Sequence, residues 1–168
     1  MKLGYIEFVE TKDGYRAGLL ITDQFTKPLE FRVTTNVKVD QLQKILYGDL
    51  LENVLYRERF TIELVNEAQE DFDILLVKEK DLLSLRDEIG KPIGFLRKFD
   101  PFKAMDRYSH KIVNLADKFE PLTLTISKED FKLVVPISRK LQEVYRNYNL
   151  MEPFERIRKA IEYLSTSQ

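Results

Sequence analysis

Residues 28–55, PLEFRVTTNVKVDQLQKILYGDLLENVL, change hydrophobic rhythm halfway along, and the reading of that change decides the fold. LEFRVTT (29–35) alternates, with Leu29, Phe31 and Val33 on one face and Glu30, Arg32 and Thr34 on the other, as a strand does. From Val39 the period becomes helical. Leu42, Ile45, Leu46, Leu50, Val54, Leu55, Ile62 and Val65 fall on one broad stripe, so a long helix is expected to about residue 67, with Asp40 and Gln43 as its capping pair. Tyr47-Gly48 interrupts that stripe. A glycine inside a helix costs about 0.8–1 kcal/mol relative to alanine. Such a glycine lets another backbone approach, marks a break between two helices, or opens a ligand notch beside the Tyr47 phenol. The reading favoured at this point is packing, with the helix close over a sheet and Tyr47 at the core edge.

Working outward, LGYIEFVE (3–10) and AGLLITD (17–23) read as strands joined by the Asp13-Gly14 turn. The chain therefore opens with a three-stranded antiparallel meander. ILLV (74–77), bounded by charges, suits a strand buried on both faces. DLLSLRDEIG (81–90) reads as a short helix closed by Gly90. IGFLRKF (93–99), KIVNL (111–115) and PLTLTIS (121–127) are further strands. Ser127 with Asp130 is a capping-box signature, and the helix after it must be kinked or divided at Pro136. EPFERIRKAIEYLS (152–165) has Pro153 as its first helical residue and Phe154, Ile157, Ile161 and Leu164 on a narrow stripe.

Composition narrows the function classes. The 168 residues contain no cysteine, which removes disulfides, thiolate zinc sites and a cysteine nucleophile. One histidine, His110, excludes any histidine-rich metal site. Twenty-seven basic side chains balance 28 acidic ones, so no global field gathers polyanions. No apolar run approaches the ~20 residues of a membrane span, and the N-terminus reads as a strand and not a signal peptide, so the expected location is cytoplasmic. Charged residues at 33% without Cys or Trp give a thermophile-like composition.

The expected fold class is α+β or mixed α/β: an antiparallel three-stranded meander, a long crossover helix, a further parallel strand and C-terminal helices. A β-β-β-α-β-α core over 1–98 is followed by a hairpin and helical extension over 99–168, packed with the core as one domain. Right-handed crossover places 74–77 parallel to the first strand. The element order of residues 3–98 resembles ribonuclease-H-like folds. In sequence, LEFRVTT with LQKILYGDLL resembles a group of uncharacterised prokaryotic proteins that carry an LEF…T strand and an ILYG helix; that group brings no activity with it.

Two function classes follow. The first is a non-enzymatic cytosolic module acting through binding or assembly, without cofactor or metal. Its candidate surfaces are the polyanion-binding segment 95–111, with Arg97, Lys98, Lys103, Arg107, Tyr108, His110 and Lys111, and the stripe Phe154, Ile157, Ile161 and Leu164 for a protein partner or self-association. The alternative is a ribonuclease-H-like nuclease or phosphodiesterase using Mg or Mn. Its carboxylates would be Glu7 midway along the first strand, Glu52 on the long helix and Glu79 past the buried strand. Against it, Lys78 stands where a second metal ligand would help, and Glu7 has plainer readings, as an ion pair with Arg32 or a lysine on a neighbouring strand or as a group that faces water.

Overall fold

The computed structural model describes residues 1–38, 40–50 and 56–166. β1 (Leu3–Thr11), β2 (Gly14–Thr22) and β3 (Pro28–Val33) form the expected meander, with β1 and β2 paired from Leu3↔Thr22 to Thr11↔Gly14. Helices α1 (Gln41–Tyr47) and α2 (Arg59–Glu67) precede β4 (Ile74–Val77), which pairs parallel with β1. A 3-10 segment (Lys80–Leu85) and α3 (Arg86–Ile89), ended by left-handed Gly90, lead to β5 (Ile93–Lys98), parallel to β4. β6 (Ser109–Ile112) and β7 (Leu122–Ile126) form an antiparallel pair, followed by a 3-10 segment (Lys128–Leu133), α4 (Val134–Tyr145) and α5 (Glu152–Thr166). The sheet has seven strands in the order β3-β2-β1-β4-β5-β7-β6. It is a mixed α/β architecture in which β1, β4 and β5 run parallel.

Strand alternation divides the core into two layers. Leu3, Tyr5, Val9, Leu20, Ile74 and Leu76 face α4 and α5, while Ile6, Ala17, Leu19, Ile21, Leu75 and Val77 face α2 and the 82–89 segment. β4 contributes to both, which is why ILLV carries no polar residue. No helix among the described residues is long and apolar enough to cross a membrane.

Several expectations need correction. The stripe from residue 42 to 65 does not form one helix: α1 ends at Tyr47, with Gly48 as its cap at φ 55°. None of α1 is buried, and a Cβ at Gly48 would meet nothing within 4 Å, so packing against the sheet is not its role. Val54 and Leu55 lie outside the described residues. The close approach occurs instead at Gly18 on β2, where a Cβ would stand 2.7 Å from Ile157 Cγ2 of α5. The Ser127 hydroxyl donates to Asp130 Oδ2 at 3.1 Å and caps no backbone N–H, because Asp130 is drawn into a 2.6 Å ion pair with Arg86. The α-helix therefore starts at Val134, and Pro136 sits in its first turn, where a missing N–H is tolerated. Phe154, Ile157 and Ile161 are each at most 1% exposed against β1 and β2, so the stripe assigned to self-association is consumed by the protein's own core. Leu164 is half-buried beside them.

The outer strand β3 is tied to the chain after α2 by Glu30, whose carboxylate accepts from Gln69 N–H at 3.0 Å and Glu70 N–H at 2.8 Å and pairs with Arg32. Burial pushes this carboxyl upward, but the Glu70 N–H, the Arg32 guanidinium and the Gln69 N–H outweigh it and hold the group below the usual carboxylate range. A depressed folded value means stability that is present above the ordinary pKa of about 4.3 and lost as pH falls through the lower one. Glu30→Gln should cost about 1–2 kcal/mol in urea denaturation at pH 7, and its gap to the parent should close below about pH 4. Gly18→Ala should cost about 1–3 kcal/mol in the same experiment, since α5 must lift from the sheet to admit the methyl group.

Candidate functional site

Parallel pairing sets β1, β4 and β5 with their carboxyl ends along one edge of the sheet, the place where open α/β sheets hold ligands. The register Leu3↔Ile74, Gly4↔Leu75, Tyr5↔Leu76 brings Lys78, just past β4, beside Glu7 on β1. Glu7 faces α5 and is 3% exposed. Its Oε2 accepts from Lys78 Nζ at 2.9 Å, its Oε1 accepts from the Phe8 N–H at 3.0 Å, and Arg158 Nη2 of α5 stands 3.9 Å away. The lysine reading of Glu7 is therefore the observed one, while Arg32 pairs with Glu30.

The carboxylates of the nuclease reading do not converge in what is described. Lys78 and Glu79 are consecutive residues of extended chain, so their side chains diverge: Lys78 meets Glu7, and Glu79 meets Arg57 Nη1 at 3.8 Å. Glu52 lies outside the described residues. Among the described residues no three His, Cys, Asp or Glu side chains come together to hold a metal. Two divalent ions need carboxylates on both flanks. An ammonium group already seated on Glu7 does not fit that requirement.

Segment 95–111 contributes to the same edge only in part. Arg97 and Lys98 end β5 at the carboxyl edge, with Lys98 in an exposed 3.2 Å pair to Glu120. Lys111 Nζ lies 4.0 Å over the Phe99 ring, and Arg107 lies over Tyr108 and Phe131, donating to the Tyr108 hydroxyl. His110 Nδ1 is 2.8 Å from the Lys111 carbonyl. Lys103 and Phe102 are exposed. This outer strand group sits four strand positions from Glu7, about 19 Å at the usual strand spacing. Tyr47 and Gly48 lie at an exposed helix end.

A cleft of about 280 Å³ lies next to Glu7, lined by Phe8, Val9, Glu10, Tyr15, Arg16, Tyr56, Arg57, Phe60 and Arg158. It exists because β1 runs to Thr11 while β4 stops at Val77, leaving the far half of β1 without a strand on that side. The Tyr15 and Tyr56 rings stack at 4.5 Å with 17° between planes. Burial pushes the Tyr56 phenol pKa up. Sequence reading missed this group, whose members come from β1, β2, the entry to α2, and α5. One signal was available: Arg16 shares a strand face with Gly18, Leu20 and Thr22, a cation in an otherwise uncharged row.

No family model matches the chain, and no curated protein matches it. Solved structures do. Endonuclease V from Bacillus subtilis is 11% identical with a TM-score of 0.57, the match covering 99% of this chain and 82% of that one. Endonuclease V from Ciona intestinalis, in complex with a 23mer DNA containing an inosine followed by a ribo-adenosine, is 9% identical at a TM-score of 0.58, covering 99% and 86%. Endonuclease V from Streptomyces avermitilis is 11% identical at 0.54, covering 98% and 83%. At such identities the likeness shows the fold alone, one shared with endonuclease V, and it supports the expected ribonuclease-H-like resemblance. It does not support the grouping by LEF…T and ILYG motifs.

The Glu7–Lys78 pair makes the site testable by itself. Lys78→Met strands a buried carboxylate and should cost about 2–3 kcal/mol, discounted for the partial exposure of the amine. Adding Glu7→Gln should recover most of that loss. A coupling energy below about 0.5 kcal/mol in the urea double-mutant cycle would mean the pair is idle.

Proposed function

We propose that this protein binds nucleic acid across the carboxyl-end edge of β1, β4 and β5, on an endonuclease-V-like scaffold whose Glu7 is neutralised by Lys78. The observation that carries the reading is that pair, at 2.9 Å, inside a fold whose relative from Ciona intestinalis is in complex with DNA. The shared fold supports the nuclease alternative over a non-enzymatic module, and the ammonium seated on Glu7 is what favours binding without cleavage. Strand spacing puts β5 about 10 Å from β1, so one strand of nucleic acid spans from the Glu7 side to Arg97 and Lys98. Lys98 gives up little by leaving Glu120, because an exposed pair is worth under about 1 kcal/mol. Arg107, Tyr108, His110, Lys111 and Lys103 extend the contact along the outer strands in this reading.

The second reading, hydrolysis with Mg or Mn held by Glu7, Glu52 and Glu79, is favoured by the fold alone. It requires Lys78 to leave Glu7. One gel-shift experiment separates the two. Short single-stranded and duplex DNA and RNA, at about 50 mM salt with and without Mn²⁺, should be shifted and not cut. Replacing Arg97, Lys98 and Arg107 together by glutamine should weaken binding for every sequence and reduce the salt slope by about 2–3. Cleavage that needs Mn²⁺ and disappears in Glu7→Gln would replace binding by hydrolysis, and no shift at low salt would remove both.

A further inference from the structure

The same edge contains a cation without a counter-charge among the described residues. Arg16 is 6% exposed, yet it makes no ion pair among the described residues. Its Nε donates to the Thr34 carbonyl at 3.0 Å, while Nη1 is buried with no hydrogen-bond partner. An arginine does not escape by losing its proton, and a buried charge is retained only when something pairs with it. The other charged groups around the cleft are already matched: Lys78 with Glu7, Arg57 with Glu79, and Arg158 between Glu7 and Glu155 at 3.9 and 4.0 Å. Glu10, also on the cleft wall, is exposed. Among the described residues, Arg16 is the cleft cation without a charged partner.

We infer that the cleft is a phosphate-binding pocket, with Arg16 supplying the deep counter-charge and Arg158 and Arg57 the outer donors. Guanidinium groups recognise tetrahedral oxyanions through paired N–H donors. The cleft opens where β1 has lost its β4 neighbour, so a ligand there enters beside the strand and does not disturb the ladder. The phosphate group arrives on a free nucleotide or on a nucleic-acid strand; the chemistry recognised is the same. The second source rests on the nucleic-acid reading above, and the first does not.

The test is thermal unfolding of the full chain with inorganic phosphate, a nucleoside monophosphate, the same nucleoside without phosphate, and a short oligonucleotide. Saturating monophosphate and inorganic phosphate should each raise Tm by about 5 °C, and the bare nucleoside not at all. Arg16→Met should abolish the rise, or reduce the apparent affinity at least about tenfold. Should that variant fail to unfold cooperatively, Arg158→Gln, at a half-exposed position, carries the comparison and should weaken binding in the same direction. A monophosphate shift without oligonucleotide binding supports the pocket and removes the nucleic-acid reading. Oligonucleotide binding that both variants retain, without any monophosphate shift, overturns the pocket and leaves that reading standing. No shift from phosphate or monophosphate in the parent protein overturns it outright.

Discussion

A carboxylate in the middle of a strand covered on both faces must find its counter-charge before the helix layers close, and Glu7 finds it in Lys78. The pair joins the two strands on which the sheet is centred, β1 and β4, at the point where β4 ends. α5 can then lie across β1 and β2 with Arg158 near the same carboxylate and Phe154, Ile157 and Ile161 filling the apolar floor. The approach is close enough that Gly18 has no room for a methyl group. With α5 laid over β1 and β2, the cleft beside Glu7 opens at the edge formed by the carboxyl ends of the parallel strands.

What was legible in the sequence was governed by local rules. Alternation in LEFRVTT, the Asp13-Gly14 turn, the apolar run ILLV and the Gly90 stop each depend on a few neighbouring residues, and each is found where the pattern puts it. The failures come from partners far away in the chain. Ser127 and Asp130 match a capping box, but Arg86, 44 residues earlier, takes the Asp130 carboxylate and a 3-10 segment forms instead. The apolar stripe through Leu42, Ile45 and Leu46 has a helical period, yet Gly48 ends the helix and its apolar side chains are exposed. Period identifies a helix but does not say which surface covers it.

The candidate site was partly legible for the same reason. Glu7 and Lys78 stood out as a carboxylate at mid-strand and a lysine just past a buried strand, both local facts. The cleft did not, because its walls come from residues as far apart as Tyr15 and Arg158, and no spacing rule links them. Only Arg16 left a trace, as a cation in a row of residues that otherwise face the core.

The charge arrangement also bears on why binding and hydrolysis separate in this reading. A divalent metal gives a carboxylate-lined edge positive charge that comes and goes with the ion, along with a polarised water for attack. A lysine gives a single positive charge that is always present and activates no water. Placed on Glu7, Lys78 satisfies the buried carboxylate and leaves the edge with cations that attract a phosphate backbone. Chemistry on that backbone would need a second acidic group on the α5 face, where the neighbouring side chains Lys78 and Arg158 are both basic. In the proposed reading the fold supplies the shelf, and the ammonium that follows β4 is what leaves a strand resting there held and not cut.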